Sequence, residues 1–376
     1  MLSLLVVMPA AGPWDLTALK NPPAMTELSR GQTRQILYEG EPYRGKPTRI
    51  WAYLAFPEKT EGKRPAMVLV HGGGGTAFRE WAELWAKRGY VALAMDLAGH
   101  GPDGKRLPDG GPNQGDADKF FFKGDIRDFW TYHAVAAVIR GVSLLGSLPE
   151  VDSGRIGITG ISWGGYLTSI VAGLDDRLKV AVPVYGCGHI HENSAWNSHF
   201  RKLSPEDRHR WVDNFEPSRY LANARMPVLW VNGTNDFAYP LDSYQKSYRL
   251  TPDRTLTVTV RMPHGHPQGW APVEIGRFVD QHLKKGPPLP RIRSCKREGQ
   301  SVEMLLDAKT PIRSCALHFT TDQGPWQKRD WKSVSLKVEG DRVKAILPEG
   351  RPLVYFLTAT DESKATVSTE HEVLEK

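Results

Sequence analysis

One short stretch of the chain has the residue pattern of a reactive serine. Ser162 lies within Gly160-Ile-Ser-Trp-Gly164, after an apolar run that begins at Arg155 and before a helical run at 166–172. A strand, a tight turn and a helix in this order are typical of a nucleophile elbow, whose strained turn lifts the serine hydroxyl clear of the sheet. The N–H groups at the start of the helix favour a developing oxyanion. The pattern predicts Ser162 as a nucleophile, although the same pattern also occurs in ordinary turns.

One acid and two histidines follow later predicted strands. Asp236 comes after the apolar run 227–232, and His264 and His266 come after the β-branched run 255–261. The carboxyl ends of parallel strands meet at one edge of a sheet, so these side chains can converge with the serine. A nucleophilic serine needs a base to remove its proton and a buried carboxylate to orient that base. Asp236 is predicted as the carboxylate, with an Asx-turn as the alternative. We favour His266 as the base because the preceding glycine frees its backbone, and His264 is the alternative.

A glycine run follows the buried strand predicted at 66–70. It reads His71-Gly-Gly-Gly-Gly75, and glycines let backbone N–H groups approach a tetrahedral oxygen without interference from side chains. We predict an oxyanion hole from Gly73, Gly74 and the N–H of Trp163. A phosphate-binding loop is the alternative, but the Lys-Ser/Thr pair of a P-loop is missing. His71 is expected to be structural.

The elements around these motifs predict a mostly parallel α/β sheet flanked by helices, over residues 33–285. Two antiparallel strands at 33–38 and 49–56 open it, after an irregular lead-in at 1–32. The loop 97–123 is long enough to be functional and is expected to shape the pocket. The polar segment 186–222 breaks the strand and helix rhythm and is predicted to be a cap. The remaining predicted strands lie at 90–95 and 179–184, and the remaining helices at 78–88, 125–148, 241–248 and 272–283.

The predicted secondary structure changes after the Lys- and Pro-rich linker 284–290. Short alternating strands are predicted at 301–307, 313–320, 332–339, 342–346 and 353–361, with no helix between them. This pattern favours a small all-β sandwich domain over residues 286–376.

Composition limits the function classes. The net charge of +7 is scattered along 376 residues, so no nucleic-acid partner is expected. No histidine or cysteine spacing in the cap predicts a metal site. Cys187, Cys295 and Cys315 are too few for a disulfide scaffold; Cys295 and Cys315 could bridge in an exported protein, or all three could be free thiols. The apolar Met1 to Ala11 resembles a secretory signal without its basic region, which favours a periplasmic or secreted protein over a cytoplasmic one.

The motifs together resemble those of the α/β-hydrolase superfamily. They are His-Gly-Gly-Gly-Gly, Gly-Ile-Ser-Trp-Gly-Gly, Gly-Thr-Asn-Asp and Met-Pro-His-Gly-His, and the likeness covers residues 45 to 285. Within the superfamily, the chain is most similar to bacterial acetyl xylan esterases, dienelactone hydrolases and prolyl oligopeptidase-like serine hydrolases. The tail is similar to β-domains appended to related hydrolases. The resemblance implies a triad of Ser162, Asp236 and His266, with no metal or organic cofactor.

The resemblance implies a serine carboxylesterase acting on small acyl esters, with carbohydrate acetyl esters as the expected substrates. Dienelactone hydrolases use a cysteine where this chain has Ser162, which disfavours their reaction. Prolyl peptidases carry a large shielding propeller, and Glu192 is the one candidate here for holding a peptide N-terminus. A peptidase is therefore the second hypothesis. A non-catalytic binding protein with an inherited hydrolase fold is the third.

Overall fold

A computed structural model describes residues 12–58 and 62–375, so the signal-like Met1 to Ala11 lies outside the described residues. In the described part, nine strands form one sheet in the order β1-β2-β3-β5-β4-β6-β7-β8-β9. Pairing is antiparallel from β1 through β3 to β5 and parallel among the others. The strands are β1 Met25–Glu27, β2 Thr33–Glu39, β3 Arg49–Ala55, β4 Arg64–Val70, β5 Val91–Met95, β6 Val151–Ile161, β7 Leu178–Val184, β8 Val228–Gly233 and β9 Arg254–Thr259.

Strands β4, β5 and β8 are apolar over most of their length, as expected for strands covered on both faces of the sheet. Every residue of β5 and β8 is buried, and β4 is buried after its first residue. Strands β4 and β6 are neighbours, with Val70 opposite Gly160. This register places the glycine run after β4 beside the serine turn after β6.

Helices lie between the strands, as the alternating pattern predicts. The longest helix, α4, packs against α5, and α5 also packs on β6 and β7. None of the described helices is long and apolar enough to cross a membrane. The helices are α1 Leu16–Leu19, α2 Arg79–Lys87, α3 Asp116–Lys119, α4 Trp130–Ser147, α5 Trp163–Leu174, α6 Asn197–Lys202, α7 Pro205–Phe215, α8 Leu241–Tyr248, α9 His266–Trp270 and α10 Val273–Lys284.

The lead-in and the start of α4 differ from the sequence prediction. The lead-in contains α1 and β1, and β1 is an edge strand paired with β2. Asp125 caps a 3₁₀ turn at Ile126–Asp128, where its Oδ1 accepts the N–H of Arg127 at 2.9 Å, and α4 starts only at Trp130. Asp125 therefore caps the 3₁₀ turn that precedes α4 and does not cap α4 itself.

The C-terminal part folds into two antiparallel sheets, β10-β11-β15-β14 and β13-β12-β16-β17, with β18 also paired to β16. Alternating burial along β11 and β15 places Val302, Met304, Leu306, Val343 and Ala345 in its core. The strands are β10 Arg291–Glu298, β11 Ser301–Asp307, β12 Ile312–Thr320, β13 Lys332–Leu336, β14 Val338–Glu339, β15 Arg342–Ile346, β16 Leu353–Asp361, β17 Thr366–Ser368 and β18 Glu372–Leu374.

Strand β10 was not predicted, because its Lys- and Arg-rich sequence resembles a linker. It is largely exposed and pairs with β11 along one edge of its sheet, where charged side chains are normal. The thiols of Cys187, Cys295 and Cys315 are free, so the structure contains no Cys295–Cys315 bridge.

Candidate active site

Ser162 occupies the sharp turn between β6 and α5. Its φ of 59° and ψ of −119° are unusual for a residue with a side chain. The turn is held by its backbone, because the Ser162 N–H donates to Val184 O at 2.9 Å and its C=O accepts the N–H of Tyr166 at 3.0 Å. A strained, over-determined serine between a strand and a helix has the geometry of a nucleophile elbow.

The two glycines of the motif are required by close packing. A Cβ on Gly160 would lie 2.2 Å from Gly164 O, and one on Gly164 would lie 1.9 Å from Val70 O. Both distances are far below van der Waals contact, so neither position accepts any other residue without moving the backbone. The two glycines of the Gly-x-Ser-x-Gly motif are therefore required because α5 crosses β4 and β6 so closely.

Asp236 and His264 form a hydrogen-bonded pair after neighbouring strands β8 and β9. His264 Nδ1 lies 2.6 Å from Asp236 Oδ2. The other carboxylate oxygen, Oδ1, accepts the N–H groups of Ala238 at 2.9 Å and Tyr239 at 2.8 Å, and Asp236 is only 2% exposed. A buried carboxylate with these donors acts as an acceptor, so His264 Nδ1 carries the proton and Nε2 is left as the basic nitrogen.

The expected pairing of Asp236 with His266 does not occur in the structure. His266 Nε2 instead accepts the N–H of Gly72 at 2.9 Å, and its ring packs on Phe78 with 4.6 Å between centroids. The reason is local: His266 is the first residue of α9, so the backbone turns there and directs its ring toward the glycine run. Burial, together with the nearby imidazoles of His71 and His264, lowers the pKa of His266 to about 4, which keeps it a neutral acceptor.

The glycine run lies directly against the elbow. A Cβ on Gly72 would lie 2.9 Å from Ser162 Cβ, and one on Gly73 would lie 2.9 Å from Cδ1 of Trp163. The N–H of Gly72 is used by His266, and that of Gly75 donates to Gly72 O at 3.1 Å. Within the described residues, the N–H groups of Gly73 and Gly74 have no such partner. Trp163 begins α5, where the first N–H of a helix also has no intrahelical acceptor.

His71 is a structural residue of this run, as expected. Its Nε2 accepts the N–H of Leu97 at 2.9 Å, so Nδ1 carries the proton that it donates to Gly72 O at 2.7 Å. Burial lowers the pKa of His71, which is consistent with a neutral ring in this role. Asp96 is also structural, because its Oδ1 accepts the N–H groups of Ala98 and His100.

No described hydrogen bond joins Ser162 Oγ to either imidazole. The structure brings together Asp236 with His264, Gly72 with Ser162 and His266, and Gly73 with Trp163. In unliganded sites the hydrogen bond between nucleophile and base is often long and shortens when substrate binds. The arrangement therefore provides a serine, an oriented imidazole and free backbone donors at one edge of the sheet.

Three residues near the site have features that the sequence analysis missed. The ring of Tyr185, at the end of β7, stacks on His264 with 4.4 Å between centroids, and its hydroxyl donates to Pro263 O at 2.9 Å. Tyr239 is fully buried beside Ser162, and burial raises the pKa of its hydroxyl. The Lys119 ammonium lies 4.6 Å from the Trp163 ring centroid, and burial lowers its pKa to about 8. Only burial, which the sequence does not display, distinguishes these residues.

Three of the four histidines in the segment 186–222, predicted to be a cap, pair with carboxylates. His189 contacts Glu192 at 2.7 Å, His191 contacts Glu216 at 3.2 Å, and His199 contacts Asp116 at 2.9 Å. Among the described residues, no group of three potential ligands is placed to hold a metal ion. Trp196 of this segment packs on Trp163 with 4.5 Å between centroids, so the segment contacts the residue that follows the serine.

The sheet order and the turn between β6 and α5 are those of the α/β-hydrolase fold. Comparison with known families is consistent with that class: the acetyl xylan esterase (AXE1) family model matches residues 25–188. The solved structure of an acetyl xylan esterase from Paenibacillus sp. R4 superimposes with a TM-score of 0.56 at 24% identity, over 71% of this chain and 92% of that one. The chain therefore has the α/β-hydrolase fold.

Curated relatives include both an esterase and a protein named as a peptidase. Acetyl esterase Axe7A of Xylanibacter ruminicola is 27% identical over 206 residues, which are 51% of this chain and 46% of that protein. The uncharacterized peptidase YuxL of Bacillus subtilis is 26% identical over 258 residues, which are 61% of this chain and 37% of that protein. The matches thus span less than half the length of either relative.

Proposed function

We propose that this protein is a serine carboxylesterase that removes small acyl groups, with acetyl esters of carbohydrates as its substrate class. The observation that carries the proposal is the Asp236–His264 pair, with its 2.6 Å hydrogen bond, at the sheet edge where the Ser162 elbow also lies. The family match and the acetyl esterase relative support the choice of ester and acyl group.

In the proposed reaction, Ser162 Oγ attacks the ester carbonyl while His264 Nε2 takes its proton. Asp236 holds the ring in this tautomer and stabilises it once charged. The N–H of Trp163 and those of Gly73 and Gly74 are the donors for the oxyanion. The tetrahedral intermediate collapses, the C–O bond to the alcohol breaks, and His264 returns the proton to the departing alcohol oxygen.

Water then hydrolyses the acyl-enzyme. His264 takes a proton from the water as the water oxygen attacks the acyl carbon. It then returns this proton to Ser162 Oγ as the bond between Oγ and the acyl carbon breaks and the carboxylic acid leaves. In this scheme His266 has a supporting role. By accepting the N–H of Gly72, it fixes the start of the glycine run that supplies oxyanion donors.

A substrate panel tests the reaction class. We expect the purified protein to hydrolyse nitrophenyl acetate and to release acetate from acetylated xylo-oligosaccharides, with negligible hydrolysis of aminoacyl-nitroanilides. Glu192, the candidate for holding a peptide N-terminus, is already engaged: burial would raise its pKa, but hydrogen bonds from Lys246 and His189 lower it to about 2. Cleavage of the anilides in preference to the esters would instead establish a peptidase.

A cleft beside His264 is the proposed location of the alcohol part of the ester. Its volume is about 450 Å³, and Asp236, Phe237 and His264 form one side of it. Phe237 is 60% exposed and packs on the His264 ring with 4.7 Å between centroids. An exposed aromatic ring beside a reactive group is typical of a binding surface, and carbohydrate C–H faces stack on such rings.

Phe237→Ala tests this location. We expect the variant to raise KM for acetylated xylo-oligosaccharides by about 3- to 10-fold, because one aromatic contact is lost. KM for nitrophenyl acetate, whose alcohol part is not a sugar, should change less. The control is Ile346→Ala, which removes an exposed apolar side chain from β15. Equal changes of KM on the two substrates would contradict a sugar contact at Phe237.

A further inference from the structure

A turn of the C-terminal sandwich packs against the edge of the hydrolase sheet that holds the acid and the base. It includes the 3₁₀ turn Trp326–Lys328 and extends to Trp331. Both tryptophans are buried in a cluster shared by the two parts of the chain, where they join Leu241 and Val258 of the hydrolase part and Val354 and Phe356 of the sandwich. Tryptophans in a shared cluster fix the position of this turn relative to β8 and β9.

Asn235, the residue before Asp236, is hydrogen-bonded to this turn. Its Nδ2 donates to the carbonyl oxygens of Gln327 at 3.2 Å and Arg329 at 2.8 Å. An amide donating to two backbone carbonyls has a defined orientation as well as a defined position. The loop that carries the acid is therefore attached to the sandwich at the residue next to the carboxylate.

The loop that carries the base belongs to the same network. Thr234 Oγ1 accepts the backbone N–H of Arg261 at 2.9 Å and donates to Asn235 Oδ1 at 2.7 Å. Arg261 lies at the end of β9, with a φ of 53°, and its guanidinium forms an ion pair with Asp330 of the sandwich turn. The acid loop, the base loop and the turn are thus connected through Thr234 and Asn235.

We infer that the C-terminal sandwich is a positioning element of the catalytic site, and that Asn235 and Thr234 transmit its position to the Asp236–His264 pair. The inference rests on the proposed function. A hydrogen bond of 2.6 Å between two loops is kept only if each loop is held to within about 0.5 Å. Without the sandwich turn, the acid loop would lose both acceptors of Asn235, and the base loop would lose the Arg261–Asp330 ion pair.

The inference predicts a specific kinetic defect. Asn235→Ala and Thr234→Val should each lower kcat on nitrophenyl acetate by about 10- to 100-fold, the loss typical of misplacing a catalytic group by roughly an ångström. KM should stay within about two-fold in Thr234→Val, because Thr234 does not line the cleft proposed for the alcohol part of the ester; Asn235 does line that cleft, so Asn235→Ala is judged on kcat. Thr234→Ser keeps the hydroxyl and should restore kcat to near the wild-type value.

A matched control separates positioning from general stability. Gln245 Nε2 donates to His371 O at 2.7 Å, so it forms the same kind of amide–carbonyl bond between the same two parts of the chain, but on helix α8. Gln245→Ala should lower the melting temperature as much as Asn235→Ala, by roughly a few degrees, and leave kcat unchanged. Comparable losses of kcat in these two variants would overturn the inference, as would a kcat for Asn235→Ala within two-fold of wild type.

Proton NMR supplies a readout that does not depend on activity. A strongly hydrogen-bonded imidazole proton resonates downfield of ordinary amides, and the signal assigned to His264 Nδ1–H would be absent in Asp236→Ala. We expect this signal to shift or broaden in Asn235→Ala and Thr234→Val and to stay in place in Gln245→Ala and Thr234→Ser. A wild-type protein without esterase activity would refute the proposed function, whereas an unchanged signal in Asn235→Ala would refute the positioning role alone.

Discussion

Ser162→Ala is expected to lower kcat/KM on nitrophenyl acetate by roughly three to six orders of magnitude. Removing the nucleophile of a serine triad leaves only the catalysis that the oxyanion donors and substrate binding provide. Alanine retains the Cβ that already occupies this strained turn at a φ of 59°, so the backbone should be unaffected. The measurement is the initial rate of nitrophenolate release by wild type and variant at equal, high protein concentration.

Two controls make this comparison decisive. Ser335→Ala removes an exposed serine from β13 and should leave the rate unchanged. The melting temperature of Ser162→Ala should match that of wild type or exceed it, because the strained residue then has no polar group to satisfy. If the variant retained wild-type activity while folded, Ser162 would not be the nucleophile, and the binding-protein hypothesis would replace the esterase.

The sequence predicted best those positions at which close packing allows only one kind of residue. The glycines around Ser162 leave no space for a Cβ, and the apolar runs of β4, β5 and β8 are buried on both faces. In both cases the local sequence and the global fold impose the same requirement. Residue type and spacing alone were therefore enough to predict the elbow turn and the positions of the buried strands along the chain.

Features that depend on distant contacts could not be predicted in this way. Strand β10 has the composition of a linker and becomes a strand because β11 lies beside it. Asn235 looks like an ordinary turn residue, and its role depends on carbonyl groups 92 and 94 residues away in the sequence. A local pattern contains no information about partners at that separation.

The sequence could not predict which histidine pairs with Asp236, for a related reason. His264 and His266 are two residues apart, and both follow the same strand, so spacing cannot separate them. The outcome depends on where α9 begins: His266 is its first residue and faces Gly72, whereas His264 remains in the loop beside Asp236. A helix of only five residues gives too weak a periodic pattern to be recognised.

A pair of matched substitutions tests the assignment of His264 as the base. His264→Gln should lower kcat/KM on nitrophenyl acetate by about three to six orders of magnitude, because glutamine cannot take the serine proton. His266→Gln keeps an acceptor near the position of Nε2, so the Gly72 N–H retains a partner, and we expect a loss of less than about 10-fold. The two variants have the same change of side chain, and the melting temperature of each shows whether it is folded.

The combination of His264→Gln with Ser162→Ala adds a second test of the same assignment. Residues that act as one catalytic unit are strongly non-additive, so the double variant should be about as inactive as either single variant. His266→Gln combined with Ser162→Ala is not informative in the same way, because His266 is expected to act through the glycine run. If His266→Gln were the inactive variant and His264→Gln the active one, the base would be His266. The Asp236–His264 hydrogen bond would then hold the two loops together and would have no part in proton transfer.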